Sequence, residues 1–136
     1  MKIARLLGSA AAALTLAAPA VASAQSSGVT AATLRAAAAR LITAELAGDG
    51  AGACAVLYAP LTVTIHGRTC AQRWDARSRD LLASPRRARG LRADLRAVTR
   101  AAVRINGEYG EIVLPQPLLN GRSRFYWTAN CWMLTR

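Results

Sequence analysis

Residues 97–114 read AVTRAAVRINGEYGEIVL, and the Asn106-Gly107 pair within this stretch decides between a helix and a hairpin. The hydrophobic residues before the pair fit both a helical stripe and strict alternation, so periodicity does not settle the structure. Asn-Gly is a favoured two-residue hairpin turn, and folding the chain about it sorts apolar from polar side chains on both arms. The sequence therefore predicts two paired strands, over residues 97–105 and 109–114.

Two predicted turns set the register of the strands. A second turn, near Ala129-Asn130, follows a strand predicted over residues 123–128 and leads into a final strand. Residues directly opposite each other in an antiparallel pair share one face, so the register brings apolar and aromatic side chains together. The predicted pairs are Ala101–Ile112, Val103–Gly110, Phe125–Leu134 and Trp127–Trp132.

A hydrophobic stripe predicts a helix near the start of the domain. Leu34 and Leu41 belong to a set of apolar residues that recur at helical spacing over residues 30–47. A Gly-Asp-Gly break at residues 48–50 ends this pattern. A second, short helix is predicted over residues 51–58.

Thr69 and Gln72 mark the start of a third helix. Their spacing is that of a capping box, in which both side chains satisfy backbone N–H groups. The helix is predicted over residues 70–83, and Pro85 is expected to end it. A β-branched run over residues 62–65 predicts a short strand before it.

Length and composition indicate one folded domain. A chain of 136 residues has the length of a single domain, and 53% hydrophobic with 18% charged residues excludes a disordered chain. Lysine occurs once against 17 arginines, which is typical of a GC-rich genome. The predicted elements, three N-terminal helices followed by antiparallel strands, place the chain in the α+β class.

Residues 1–24 are predicted to be a secretory signal peptide. A basic start precedes an uncharged apolar run, and the small side chains of Ala22 and Ala24 suit the peptidase, so we expect cleavage after Ala24. The alternative is an uncleaved membrane anchor, although its alanines and proline make a weak span. The remaining chain is a polar lead-in over residues 25–29 and a domain over residues 30–136. We expect a secreted or periplasmic protein with no integral membrane segment after cleavage.

Export changes how the three cysteines are interpreted, because thiols outside the cytoplasm tend to be oxidised. Cys54, Cys70 and Cys131 allow three pairings with one bridge. We predict Cys54–Cys70, a loop whose closure would stabilise the fold by about 3 kcal/mol. Cys131 is then a free thiol that packs as a small hydrophobe, or alternatively forms an intermolecular disulfide.

Arginines dominate the charge of the chain, which is +11 overall. A crowded set within residues 86–104 includes only Asp94 as an acid, and its last four members are spaced by four. This spacing keeps them on one side of either a strand or a helix. Such a basic face attracts polyanions, here acidic lipids, anionic envelope polymers or extracellular nucleic acid. The alternative is a solvated face without a partner. The polyanion-binding candidates are Arg86, Arg87, Arg89, Arg92, Arg96, Arg100 and Arg104.

Taken together, the predicted elements resemble the nuclear transport factor 2-like superfamily, in particular its small secreted bacterial members. The resemblance covers residues 30–134. It rests on Ala47-Gly48-Asp49, on the Cys54 and Cys70 pair, and on the Cys131-Trp132-Met133-Leu134 ending. It implies a cone-shaped, cystatin-like fold in which three helices pack into the concave side of a strongly curved antiparallel sheet. Relatives include ketosteroid isomerases, scytalone dehydratase, SnoaL-like cyclases and members that only bind or assemble, so the fold does not select a function.

The open end of such a cone can form a pocket for a small apolar ligand. An aromatic face of the sheet would line it together with one tryptophan of the third helix. The alternative is that these rings fill the core. The candidate pocket residues are Tyr58, Trp74, Phe125, Trp127 and Trp132.

Groups suited to catalysis are few in this sequence. His66 is expected to cap a loop, while Asp75 and Asp80 are expected to form surface ion pairs with nearby arginines. We predict no catalytic residue, no metal site and no cofactor, because His66 is the only histidine and no cysteine pair has metal-ligand spacing. The sequence thus favours a non-enzymatic binding or interaction domain over polyanion binding or an isomerase-type enzyme. A homodimer through the outer face of the sheet is a further expectation.

Overall fold

The computed structural model describes residues 28–58, 61–116, 123–129 and 131–135. The predicted signal peptide, residues 1–24, lies outside the described residues, and so does Asn130 of the second predicted turn. The order of elements is α1 Ala31–Ala47, α2 Gly50–Cys54, α3 Cys70–Leu82, α4 Pro85–Ala97, a 3-10 turn Val98–Arg100, β1 Val103–Asn106, β2 Tyr109–Ile112, β3 Arg124–Thr128 and β4 Cys131–Leu134. This confirms the α+β class, with one helix more than predicted.

Helix α1 begins and ends as the sequence predicts. Thr30 caps it by accepting a hydrogen bond from the backbone N–H of Thr33, and Gly48 ends it in the left-handed region at φ 66°. Its buried stripe, which includes Leu34 and Leu41, packs in the core. At about 25 cal/mol per Å² of buried apolar surface, each such leucine contributes on the order of 2 kcal/mol.

Helices α2 and α3 are joined by the predicted disulfide. The Cys54 and Cys70 sulfurs are 2.00 Å apart. The capping box of α3 is present, with Thr69 and Gln72 each accepting from the other's backbone N–H. Helix α2 is shorter than predicted, because the chain after it pairs with β4 instead of continuing the helix.

The predicted strand over residues 62–65 is wrong. Only an isolated antiparallel bridge forms there, between Ile65 and Arg68, around a turn in which His66 and Gly67 have positive φ. Arg73 of α3 donates to the backbone oxygens of Leu61 and Val63, at 2.9 and 2.7 Å. The Arg73 side chain thus donates to carbonyl oxygens that would otherwise accept hydrogen bonds from a neighbouring strand.

The strand predicted over residues 97–105 is also wrong in its first half. Helix α4 extends to Ala97, and a 3-10 turn follows before β1. Ser84 caps α4 by accepting a hydrogen bond from the backbone N–H of Arg87. Pro85, which was expected only to end α3, occupies the first turn of α4. Residues 91–98 are helical because Leu91 and Val98, at helical spacing, are both buried in the core.

The four strands form an antiparallel meander in sequence order. Trp127 pairs with Trp132 and Phe125 with Leu134, as predicted. The first hairpin turns at residues 107–108 instead, so each residue of β2 pairs with a residue two positions later than predicted, and the predicted faces are kept. Its observed pairs are Val103–Ile112, Arg104–Glu111, Ile105–Gly110 and Asn106–Tyr109.

The sheet is not strongly curled, which corrects the expectation of a strongly curved sheet. Its strands have only four or five residues, and in the described strands the pairing runs one to one, without the inserted residue that bends a strand. The inner face packs on α1, where Phe125 and Trp132 are fully buried. The fourth helix lies against α1 and α3, and this arrangement positions the site described next.

Candidate functional site

Helix α4 has two faces of different chemistry, and the inner one closes a polar cavity of about 430 Å³. The cavity lies among α1, α3, α4 and the residue Gln116 that follows β2. Leu81 and Leu91 supply apolar wall. The polar lining consists of Glu45, Arg77, Asp80, Arg87, Asp94 and Gln116. This volume lies within the range of small-molecule sites.

Glu45 is a buried carboxylate on the wall of the cavity. It lies on the core-facing stripe of α1 and is only 1% exposed. The Arg77 Nε donates to Glu45 Oε1 at 2.9 Å, and the guanidinium also lies over the Trp74 ring, 5.1 Å from its centroid. Burial raises the pKa of Glu45, while the hydrogen bond and charge of Arg77 lower it. The arginine therefore offsets part of the cost of burying this acid.

Asp94 is a second buried carboxylate, on the inner face of α4. Its Oδ1 accepts from the backbone N–H of Gln116 at 3.2 Å, whereas its Oδ2 is buried and has no hydrogen-bond partner among the described residues. Burial raises the pKa of Asp94, and the Gln116 hydrogen bond lowers it. Asp94 lacks the guanidinium partner that Glu45 has, because the described residues contain only the Arg77–Glu45 ion pair.

The outer face of α4 carries the predicted arginines. All seven candidates are exposed, and within the described chain none of them has an acidic partner within salt-bridge distance. At about 100° per residue, Arg86, Arg89, Arg92 and Arg96 fall within an arc of about 120° on the outer side of the helix. We call these four residues the basic face. Arg100 follows in the 3-10 turn, Arg87 lies at the cavity, and Arg104 lies on β1. The structure thus brings four of the seven together.

The predicted aromatic pocket residues lie in or beside the core. Phe125 and Trp132 are buried, and the Trp132 Nε1 donates to Thr33 Oγ1 at 3.0 Å. Trp127 packs edge to face on Trp132 with ring centroids 5.3 Å apart. Trp74 lies beneath Arg77, and Tyr58 packs against Tyr126 at 5.4 Å. None of the five predicted rings lines the polar cavity.

Other candidates take structural roles. Asp75 accepts from the N–H of Gly50 at 2.8 Å, which ties α3 to the start of α2. His66 is exposed in its turn, and the free thiol of Cys131 is half-buried and donates to the Thr128 carbonyl oxygen. Asp80, expected in a surface ion pair, lines the cavity and has no such pair in the described part of the chain.

Glu45 and Asp94 were not among the sequence candidates. Glu45 follows Leu41 and Ile42 on the core-facing stripe of α1, and a charged residue on such a stripe is a signal for a buried site. Asp94 had no comparable signal, because the helical state of residues 91–97 was undecided.

Comparison with known proteins gives no relative: no family model, no curated protein and no solved structure matches the chain. Within the described residues, no helix has the length and apolar character needed to cross a membrane. No group of three or more His, Cys, Asp or Glu residues in that part of the chain could hold a metal ion. The function is therefore argued from the two faces of α4.

Proposed function

We propose that the protein is exported and that the basic face of α4 binds anionic polymers of the cell envelope or its surroundings. The observation that carries this proposal is the set of four exposed arginines on one side of α4, without acidic partners among the described residues. A guanidinium binds phosphate, sulfate or carboxylate groups in a planar, two-pronged geometry. The Cys54–Cys70 disulfide is compatible with an oxidising compartment.

The dimensions of the basic face suit a repeating ligand. From Arg86 to Arg96 the helix rises about 15 Å, so the face can bind several anionic groups of one chain. Binding would release counterions from the polymer and would depend strongly on salt. A polymer with regularly spaced charges is therefore favoured over a single small anion.

An apolar-ligand function has less support. The rings expected to line an apolar pocket fill the core or its margin, as three of them are buried and the other two pack on neighbouring rings. Five of the eight described residues that line the cavity at α4 are charged. An isomerase-type activity has no histidine near this cavity, since His66 lies in the exposed turn before α3.

The proposal is tested on immobilised heparin, a sulfated polyanion. The test variant is Arg92→Gln plus Arg96→Gln. The control is Arg40→Gln plus Arg79→Gln, which removes the same charge from exposed positions on α1 and α3. We expect the test variant to elute at lower salt than the control, because it removes two adjacent anion-binding groups and not only net charge.

A labelled oligothymidine measures how many phosphates the basic face neutralises. For a single strand, removing one arginine–phosphate interaction lowers the slope of log K against log salt by about 0.7, so the slope for the test variant should be smaller by about 1.4. The slope for the control should change by less than half of this. Equal elution and equal slopes for the two variants would show that net charge, and not the basic face, determines binding.

A further inference from the structure

A carboxylate oxygen of a residue that lines the polar cavity lacks a hydrogen-bond donor. Asp94 is fully buried and lines the cavity, and its Oδ2 has no partner among the described residues. A buried carboxylate oxygen without a donor is unfavourable, because it has lost water and gained nothing in exchange. Asp94 thus has an unpartnered acceptor and belongs to the lining of a cavity of ligand size.

The charges around the cavity favour a cation. Among the described residues, its lining holds three carboxylates and two guanidinium groups, an excess of one negative charge when all are ionised. Arg77 is engaged by Glu45, and Arg87 has no ion pair within the described chain. A ligand with one positive charge would balance the lining.

The remaining walls indicate an organic ligand and not a metal ion. The described residues contain no group of three or more potential ligands placed to hold a metal. Leu81 and Leu91 would contact a short hydrocarbon chain. A primary ammonium group on such a chain provides both the N–H donors and the apolar surface.

We propose that the cavity binds a small organic ammonium ion whose N–H groups donate to Oδ2 of Asp94. Glu45 keeps its hydrogen bond to Arg77 and adds a second negative charge to the lining of the cavity. Leu81 and Leu91 contact the carbon chain. This site is independent of the basic face, which lies on the opposite side of α4.

The experiment uses n-butylammonium as the probe, with n-butanol as its neutral isostere and butyrate as its anionic counterpart. The disulfide-bonded protein is titrated at constant ionic strength, and backbone amide NMR shifts are followed at Gln116 and over residues 91–94. Five non-hydrogen atoms allow a Kd on the order of a few millimolar. We expect saturable shifts with butylammonium and at least a tenfold weaker response to the other two probes.

Three variants make the test specific. Asp94→Asn keeps the acceptor for the Gln116 N–H and should weaken butylammonium binding about tenfold, while heparin elution stays unchanged. Arg87→Gln removes a like charge and should tighten binding about threefold, which keeps the test decisive if the first variant is unstable. Glu111→Gln, an acid on β2 outside the cavity, should leave the Kd unchanged.

Two results would overturn the proposal. One is butylammonium binding no tighter than butanol or butyrate, including the absence of saturable shifts. The other is an equal loss of binding in Asp94→Asn and Glu111→Gln, which would reflect overall charge. If the arginine variants lose heparin binding but still bind butylammonium, the failure concerns the basic face, and the cavity proposal stands.

Discussion

Replacing Arg77 by Gln should destabilise the fold at neutral pH and much less at acidic pH. Arg77 is the partner of Glu45, a carboxylate that is 1% exposed, and the Nε to Oε1 distance is 2.9 Å. Without the guanidinium, the ionised carboxylate is buried without its ion-pair partner. Protonation removes that charge, so the damage should depend on pH.

The magnitude follows from burial. Removing one partner of a fully buried ion pair costs about 3–5 kcal/mol. The Arg77 side chain is 40% exposed, so water screens the pair and we expect about 2 kcal/mol at pH 7.5. Up to about 1 kcal/mol of this is the interaction with the Trp74 ring, which does not change with pH.

The sign of the pH dependence is set by the pKa of Glu45. Burial raises it in the native fold, and loss of Arg77 should raise it further. A raised folded-state pKa gives stability that is complete below the ordinary value and is lost as pH rises through the folded value. The deficit of Arg77→Gln should therefore be smallest near about pH 4 and grow toward neutral pH.

Urea unfolding followed by far-UV circular dichroism, with the disulfide intact, measures this deficit. Glu45→Gln combined with Arg77→Gln serves as the control, because it removes the buried charge together with its partner. The double variant should recover about 1 kcal/mol at pH 7.5 relative to Arg77→Gln. An equal deficit at both pH values, or no recovery in the double variant, would show that Arg77 acts by packing alone.

Three further outcomes are expected from unfolding measurements. The double variant Cys54→Ala plus Cys70→Ala should lower the free energy of unfolding by about 3 kcal/mol, since the bridge closes a loop with a sequence separation of 16. Urea midpoints measured without reductant would show this. A change below about 1 kcal/mol would contradict it. Gly110→Ala should cost about 1–3 kcal/mol, because the new Cβ would lie 2.7 Å from Leu34 Cδ2, and an unchanged Tm would contradict this. Asp94→Asn should stabilise the protein at neutral pH but not at about pH 3, because the pKa of Asp94 is raised in the fold; Tm values at both pH values test this, and a variant less stable than the parent at neutral pH would refute it.

Local signals predicted several elements well. The capping box at Thr69 predicted the start of α3, because such a cap depends on residues only three positions apart. The Cys54–Cys70 pairing and the Trp127–Trp132 register were also confirmed. These features depend on residues close together in the sequence or on a covalent bond, so the sequence alone is enough to predict them.

Other features depend on the tertiary arrangement. Residues 91–105 fit two periodicities, and the packing of α4 on α1 selects the helix over most of the segment. The cavity joins Glu45, Arg77 and Asp94 from three helices, and local patterns do not predict which helices become neighbours. The cone expected from the resemblance is not confirmed, since curvature depends on the pairing of strands and not on their composition.

The bridge between Leu57 and Leu134 protects the sheet against self-association. Backbone hydrogen bonds from Tyr58 to Leu134, and from Leu134 to Val56, cover the outer edge of β4. An uncovered edge offers unpaired N–H and C=O groups to other chains, which promotes aggregation. The covering segment follows Cys54 directly and is anchored to α3 through the disulfide. A chain that stays reduced therefore risks self-association at this edge, and formation of the disulfide protects it.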